Sequence, residues 1–473
     1  MPIISRALVL GWLLSATAAV SGQLVLTPEY ERLRRYEGTY EDEGGGTLQI
    51  VASPRDSVLI AVLDGARYPL KNAGTDLFTN APGQRVQFSL EPGREGYRLL
   101  DGPEADRLFR RVGPSAALDE RIWFPRPHSR LGYSYVAPVE RNDGLAVGAV
   151  SGAPLDAARL NEMGEAIAAG RHPDVHSVLV AHRGRLLFEE YFYEYDVNTP
   201  HALRSATKSI VSALVGLAIA RGHLKDIRQP VLPFFASEYP QIANDSESKR
   251  RITVEDLLTM RSGLECDDWN ASSPGNESKM GRSNDWVKFT LDLPMRTTPG
   301  TTSSYCSGGV IVLGRLVEKL SGKPLEAFAR EHLFDPLGIR TVEWKFDPDR
   351  SSINTFCQLS LTPRDMMKIG LLYMNGGRWH DRQVLPADWV KASTASHTSL
   401  GDTDYGYLWW RPYLEVPGGR HHAMMATGNG GQKIFLWPSL DLVVVMTGGN
   451  YNTSSPANQL AIKYILPTIG SLR

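Results

Sequence analysis

A serine and a lysine three residues apart, Ser205 and Lys208, stand just before a long apolar run at residues 210–220. If a helix begins here, this spacing places both side chains on one face, within reach of each other. A serine hydroxyl becomes an effective nucleophile when a base takes its proton, and a lysine with a lowered pKa can be that base. The first N–H groups of the helix would face developing negative charge. The pair is therefore a candidate for nucleophilic catalysis, although Ser-x-x-Lys also arises by chance.

The elements that must position this pair form a mixed domain. Residues 155–169 have helical spacing, residues 178–195 form two apolar strand patterns, and Gly222 is placed to end the Ser205 helix. The segment 224–339 is mainly helical and loop, and strand patterns return at 405–410, 433–436 and 442–446. Since strands come from both ends of the domain, we predict an α+β fold: an antiparallel sheet flanked by helices, with a helical insert.

Two further stretches carry polar groups downstream. Tyr305-Cys306-Ser307 precedes a helical pattern at 310–320, and Ala-Thr-Gly-Asn-Gly-Gly-Gln at 426–432 opens a strand. This order resembles the serine β-lactamase and penicillin-binding protein superfamily, whose motifs are Ser-x-x-Lys, Tyr or Ser-x-Asn, and Lys-Thr-Gly. The resemblance covers roughly residues 147–472. Phrases at 257–264, 361–365 and 405–410 look like its class C-type branch of esterases, amidases and 6-aminohexanoate-dimer hydrolases.

The resemblance implies a role for each matching residue. Ser205 would be acylated, Lys208 would activate it, and Tyr305 would assist proton transfer, with a phenolate held by Lys208 as one form. A buried core tyrosine is the alternative for Tyr305. The backbone N–H groups of Ser205 and Asn429 would form the oxyanion hole, where each donor is worth about 3 kcal/mol.

Two positions depart from the family pattern. Ser307 stands where the second motif has Asn, and a hydroxyl cannot present the paired groups of an amide. Ala426 stands where the third motif has Lys, so the cation that helps to hold a β-lactam carboxylate is absent, and Lys433 farther along the strand is not assigned that role. We therefore expect poor β-lactamase activity. The residues expected to contact substrate are Ser307, Thr427, Gly428, Trp409 and Trp410.

The amino-terminal region has a different organisation. Residues 1–22 carry Arg6, an apolar stretch at 7–14 and small residues after it, which predicts a cleaved secretory signal, with an uncleaved anchor as the alternative. The apolar stretch is too short to span a bilayer, so we expect an exported protein, periplasmic or secreted, without a stable membrane span. Short alternating runs at 30–113 predict a small all-β domain, 114–146 a linker, and 147–472 the hydrolase domain.

Composition narrows the possible partners. The chain has 51 Lys and Arg against 52 Asp and Glu, and no basic run stands out, which argues against a nucleic-acid partner. His421 and His422 lack a carboxylate at metal spacing and favour a solvated loop over a zinc site. Three cysteines exclude a scaffold built on disulfides, but whether Cys266 pairs with Cys306 or all three stay free is left open.

These observations predict an exported serine hydrolase that needs no metal or cofactor. It would form an acyl-enzyme with a small-molecule or peptide-like carboxylic ester or linear amide. The alternatives are a D,D-peptidase or penicillin-binding protein, and a non-catalytic β-lactam or peptide sensing module on the same fold. Neither the substrate, the oligomeric state nor the role of the β domain can be read from the sequence.

Overall fold

The computed structural model describes residues 27–63, 65–80, 83–101, 105–125, 133–151, 155–345, 358–417 and 419–470. The predicted signal at 1–22 and Cys357 lie outside this range. No helix among the described residues is long and apolar enough to cross a bilayer.

An amino-terminal barrel follows the short helix α1 (Pro28–Leu33). Within the described part of the chain its eight antiparallel strands close through pairing of the first with the last. Strands β1 to β8 are Gly38–Asp42, Thr47–Ala52, Leu59–Leu63, Ala66–Gly74, Leu77–Thr79, Arg85–Ser89, Gly96–Leu99 and Leu108–Gly113. Aromatic side chains fill the interior, among them Tyr40, Phe88 and Tyr97. The predicted all-β character of this region is confirmed.

The rest of the chain is built on a large sheet. Strands β9 to β24 are Ala146–Val147, Val175–His182, Arg185–Tyr191, His201–Ala202, Glu343–Lys345, Gln358–Leu361, Arg378–Trp379, Arg382–Gln383, Thr398–Leu400, Thr403–Tyr405, Trp410–Arg411, Tyr413–Val416, Gly419–His422, Met424–Gly428, Gln432–Trp437 and Leu442–Gly448. Nine of these described strands form the large sheet, in the order β17-β18-β19-β22-β23-β24-β10-β11-β9. They pair antiparallel, except that β9 pairs with β11 in parallel. Both ends of the domain supply strands, so the predicted α+β fold is confirmed.

Helices cover both faces of this sheet. Helices α2 to α14 are Ala157–Ala168, Thr207–Ala220, Leu232–Phe235, Glu247–Arg250, Val254–Leu258, Glu277–Met280, Trp286–Asp292, Ser307–Ser321, Leu325–Ala329, Pro363–Met374, Ala387–Ser393, Ala457–Leu460 and Leu466–Gly470. α3, α9 and α11 pack in the core on one face, and α2 with the carboxy-terminal helices packs on the other. The Ser205 helix is thereby buried on all sides.

One predicted strand is interrupted. Residues 405–410 were expected to be continuous, but a turn at 406–409 separates β18 from β19. Leu408 has a φ of 63°, and a Cβ on Gly406 would lie 2.3 Å from the Ser393 carbonyl oxygen. Close packing against α12 therefore requires glycine and bends the chain here.

Candidate active site

A tight turn carries the candidate nucleophile. Ser205 lies in a 3-10 turn, Arg204–Ala206, that leads directly into α3. Arg204 has a φ of 50°, a left-handed conformation that is uncommon for a long side chain and that surrounding contacts must hold. Ser205 is half-buried in this turn, whereas Ala206 and Thr207 are buried. Residues with strained backbone conformations, as Arg204 has here, often lie at functional sites.

Lys208 lies one turn along from Ser205, as the spacing predicts. Its side chain is only 1% exposed, and its Nζ donates a hydrogen bond of 2.9 Å to Ser205 Oγ. The apolar side chains of α3 exclude water around the lysine stem. A buried amine in contact with a hydroxyl is placed to exchange a proton with it.

Tyr305 lies beside Ser205 and Lys208 as the third member of this group. It is 8% exposed, and Lys208 Nζ lies 5.0 Å from the centre of its ring. Burial raises the pKa of the Tyr305 hydroxyl, while the charge of Lys208 and a hydrogen bond with Ser205 lower it part of the way. The raised pKa favours the neutral Tyr305 hydroxyl over a phenolate.

A disulfide fixes the loop beside Tyr305. Cys266 is bonded to Cys306, which settles the pairing that the sequence left open. The bond ties the segment preceding Trp269 to the residue that follows Tyr305. Trp269 then stacks parallel to Tyr305 with ring centres 5.3 Å apart, and Trp410 lies 5.8 Å from the same ring. Trp269, at 61% exposed, and the half-buried Trp410 form an aromatic wall on the cleft.

The third motif lies on β22 directly behind the Ser205 turn. A Cβ on Gly428 would lie 2.1 Å from the Leu203 carbonyl oxygen, so only glycine allows this approach. The side chain of Asn429 is held back by Asn452, since its Nδ2 donates to Asn452 Oδ1 at 2.7 Å and its Oδ1 accepts from Asn452 N at 2.9 Å. Strand β22 thus brings the Asn429 backbone to the turn that bears Ser205.

Lys433 lies close to the third motif but on the wrong face for the family's cation. It pairs across the strands with Thr427, and its Nζ donates to Thr427 Oγ1 at 2.6 Å. Alternate residues of a strand share a face, so Lys433 lies on the face that carries Phe435, opposite the face of Ala426. Burial lowers the pKa of Lys433 to about 8.

Two of the expected substrate contacts are buried away from the cleft. Ser307 is fully buried, and its hydroxyl donates to Glu277 Oε2 at 3.2 Å, so it does not face the cleft. Trp409 is fully buried against Tyr373 because the turn at 406–409 directs it into the core. Of the other three expected contacts, Trp410 lies beside Tyr305, Gly428 is packed against Leu203, and Thr427 accepts a hydrogen bond from Lys433.

Sequence reasoning missed one acidic residue. Asp268 accepts hydrogen bonds from the backbone N–H of Ser307 at 2.7 Å and of Glu277 at 2.8 Å. Burial and the neighbouring Glu277 raise the pKa of Asp268 to about 7, while Lys208 opposes the shift. Its position next to the disulfide, between Cys266 and the exposed Trp269, is the signal that could have drawn attention to it.

Comparison with known proteins agrees with this geometry. The profile of the family described as Beta-lactamase matches residues 165–464. The chain is 26% identical over 373 residues to 6-aminohexanoate-dimer hydrolase of Paenarthrobacter ureafaciens, covering 70% of this chain and 89% of that protein. It is 30% identical over 167 residues to Esterase EstB of Burkholderia gladioli, covering 33% of this chain and 41% of that protein. Five curated relatives are matched over 19% to 89% of their own length.

A solved structure shares the fold. Simvastatin synthase from Aspergillus terreus superposes with a TM-score of 0.53 at 17% identity, covering 67% of this chain and 99% of that one. Since almost the whole of that protein is matched by two thirds of this chain, about a third of this chain lies outside the similarity.

Proposed function

Since the chain belongs to the beta-lactamase family, whose homologues support a serine hydrolase activity, we propose that it hydrolyses carboxylic esters or linear amides through an acyl-enzyme on Ser205. The 2.9 Å contact between Lys208 Nζ and Ser205 Oγ carries this proposal, because base and nucleophile are already within reach. Relatives named as an esterase and a dimer hydrolase support the two substrate classes.

Acylation needs a base and a site for the oxyanion. With Lys208 as the free amine, the Ser205 hydroxyl donates its proton to Nζ while Oγ bonds to the substrate carbonyl carbon. The carbonyl oxygen becomes an oxyanion that accepts hydrogen bonds from the backbone N–H groups of Ser205 and Asn429. The Gly428 approach to Leu203 supports this assignment because it brings the two amides together.

Product release reverses these proton movements. The tetrahedral intermediate collapses as the bond to the leaving group breaks, and the proton on Lys208 passes to that group through the neutral Tyr305 hydroxyl. Water then adds to the ester carbonyl of the acyl-enzyme and gives a proton to Lys208. That proton returns to Oγ as the carboxylic acid leaves. Tyr305 suits this relay because its hydroxyl hydrogen-bonds with both Ser205 and Lys208.

The third motif favours substrates without a carboxylate. Ala426 supplies no cation on the cleft face, and Lys433 is engaged by Thr427 on the other face. A desolvated charge pair in a complex couples with roughly 1.5 to 7 kcal/mol, so a ligand that depends on one loses affinity here. Short neutral esters carry no carboxylate and therefore lose no affinity. We expect penicillins and cephalosporins to be poor substrates.

We also propose export. The predicted signal at 1–22 and the Cys266–Cys306 bond support it, since disulfides persist in oxidising compartments. Amino-terminal sequencing of the mature protein and measurement of its distribution between cell fractions would test this proposal.

A fluorophosphonate probe tests the nucleophile. We expect the probe to label Ser205, Ser205→Ala to abolish labelling, and the control Ser209→Ala, one turn along the same helix, to retain it. Mass spectrometry of the labelled peptide locates the adduct. An adduct on another serine would contradict the proposal.

Parallel rate measurements test the substrate class. The unmodified protein is given p-nitrophenyl butyrate, a linear amide and a chromogenic cephalosporin under the same conditions. The ester should be turned over fastest and the cephalosporin slowest. A cephalosporin rate above the ester rate would refute the assignment of Ala426.

A further inference from the structure

Arg67 and Tyr68, two adjacent residues of β4, are among the barrel residues that contact the catalytic domain. The Arg67 side chain, only 10% exposed, crosses the interface and donates from Nη1 to the Ile122 carbonyl oxygen at 2.8 Å and to Glu194 Oε2 at 3.3 Å. Its neighbour Tyr68 lies 5.7 Å, ring to ring, from Tyr451. The interface is therefore formed by specific polar contacts as well as by packing.

Arg67 also begins a chain of hydrogen bonds toward the active site. Its Nη2 lies 2.8 Å from His176 Nε2, and His176 Nδ1 lies 2.8 Å from His201 Nε2. His201 Nδ1 in turn lies 3.3 Å from the Ala202 carbonyl oxygen. Ala202 is three residues before Ser205, so the chain ends at the start of the turn that bears the nucleophile.

The chemistry of arginine sets the direction of this chain. A guanidinium only donates, so His176 Nε2 must accept and its proton must be on Nδ1. His176 Nδ1 then donates to His201 Nε2, which places the His201 proton on Nδ1, facing the carbonyl of Ala202. Burial keeps both rings neutral, since it lowers the pKa of His176 well below its usual value and that of His201 to about 4. A single arginine therefore fixes both tautomers.

Tyr68 reaches the same turn by a second route. Arg204 Nη2 donates to Tyr68 Oη at 3.4 Å, and the Arg204 guanidinium lies 4.8 Å from the centre of the Tyr451 ring. Arg204 is the residue with the left-handed φ immediately before Ser205. The barrel therefore holds the side chain of a residue whose left-handed backbone conformation is unfavourable by itself.

We propose that the barrel contributes to the active site, with Arg67 and Tyr68 as positioning residues for segment 201–205, which leads from β12 into the Ser205 turn. This inference rests on the proposed acyl-enzyme function. The turn sets where Ser205 Oγ and the Ser205 N–H stand relative to β22, and a displacement near 1 Å can cost about 100-fold in rate. Substrate affinity depends on other parts of the cleft, so the barrel should govern kcat more than KM.

Kinetics of barrel variants test the proposal. Arg67→Met should lower kcat for p-nitrophenyl butyrate, and the rate of fluorophosphonate labelling, by about 10- to 100-fold with KM nearly unchanged. Arg67→Lys keeps one charged donor and should recover part of the loss. Tyr68→Phe removes the hydroxyl that accepts a hydrogen bond from Arg204 and should have a smaller effect. The control is Arg85→Met, which removes an exposed barrel arginine paired with Asp101 and should leave kcat unchanged.

Nitrogen-15 NMR of histidine-labelled protein measures the tautomers of His176 and His201. A general loss of stability in a variant would not change these tautomers. The wild type should show His176 and His201 as Nδ1–H tautomers, assigned with His176→Gln and His201→Gln. In a folded Arg67→Met protein the pair should lose this fixed state. Unchanged tautomers, or wild-type kcat in the variant, would overturn the inference. A wild type that is not labelled at Ser205 would instead refute the proposed function, so the two failures are distinguishable.

Discussion

The contact between Gly428 and Leu203 leads to a quantitative prediction for Gly428→Ala. Gly428 precedes Asn429, and Leu203 lies two residues before Ser205, so the two proposed oxyanion donors flank this contact. The added Cβ would stand 2.1 Å from the Leu203 carbonyl oxygen, whereas real Cβ atoms essentially never come within 3.0 Å of a neighbour. Strand β22 and the Ser205 turn must therefore separate by about 0.9 Å, the difference between these two distances.

That separation should remove one hydrogen bond in the transition state. Oxyanion donors work at about 2.7–3.1 Å, and an added 0.9 Å or so carries the farther one beyond hydrogen-bonding distance. Loss of one donor costs about 2.7–4 kcal/mol, or about 10² to 10³ in kcat. We expect this loss of kcat for p-nitrophenyl butyrate. The contact between Lys208 and Ser205 should be retained, because both residues lie on the same side of the widened gap between Gly428 and Leu203.

The assay compares Gly428→Ala with Gly281→Ala. A Cβ at Gly281 meets its nearest neighbour, the Glu277 carbonyl oxygen, at an ordinary 3.4 Å, so this control should keep wild-type kcat. Circular dichroism and thermal unfolding establish that both proteins are folded. If folded Gly428→Ala retains wild-type kcat, the backbone amides of Ser205 and Asn429 do not form the oxyanion hole.

Two further predictions concern stability. The pKa of Asp268 is about 7 in the folded protein, against an ordinary value of 3.8. Between about pH 4 and pH 7 the folded protein therefore keeps a proton on Asp268 that the unfolded chain has released. The free energy of unfolding consequently falls as the pH rises through this window. The Tm of Asp268→Asn relative to wild type should therefore increase from pH 5 to pH 8 in thermal denaturation, and a constant difference would contradict this. Cys306→Ser removes a disulfide between residues 40 apart in the sequence. In denaturant titrations it should lower the free energy of unfolding by about 4 kcal/mol. A small change would mean that Cys266 and Cys306 are not bonded in solution.

Local spacing was enough to find the centre of the site. Ser205 and Lys208 are one helical turn apart, so their meeting depends only on a helix forming, and the apolar run after them makes that helix a core element. The mixed fold was also readable, because alternating and helical periods follow each other clearly along the chain. The catalytic roles of Ser205, Lys208 and Tyr305 remain predictions, but the structure does bring these side chains together.

What the sequence did not reveal depends on tertiary packing. Ser307 and Trp409 looked available because they adjoin motif residues, yet the direction of a loop side chain is set by the elements that pack on it. Asp268 acquires its high pKa only when burial and Glu277 surround it. Arg67 carries no motif and lies in another domain, so its contact with His176 could not be read from spacing.

The aromatic wall gives the protein an optical reporter at the mouth of its cleft. Trp269 is exposed, whereas Trp286, Trp409 and Trp437 are fully buried, so among the tryptophans that the structure describes a soluble quencher such as acrylamide reaches the Trp269 indole first. Because that indole is stacked on Tyr305, a molecule that enters the cleft shields or displaces it, and the quenching falls or the emission shifts. Binding can therefore be followed without a chromogenic substrate, including ligands that are never hydrolysed.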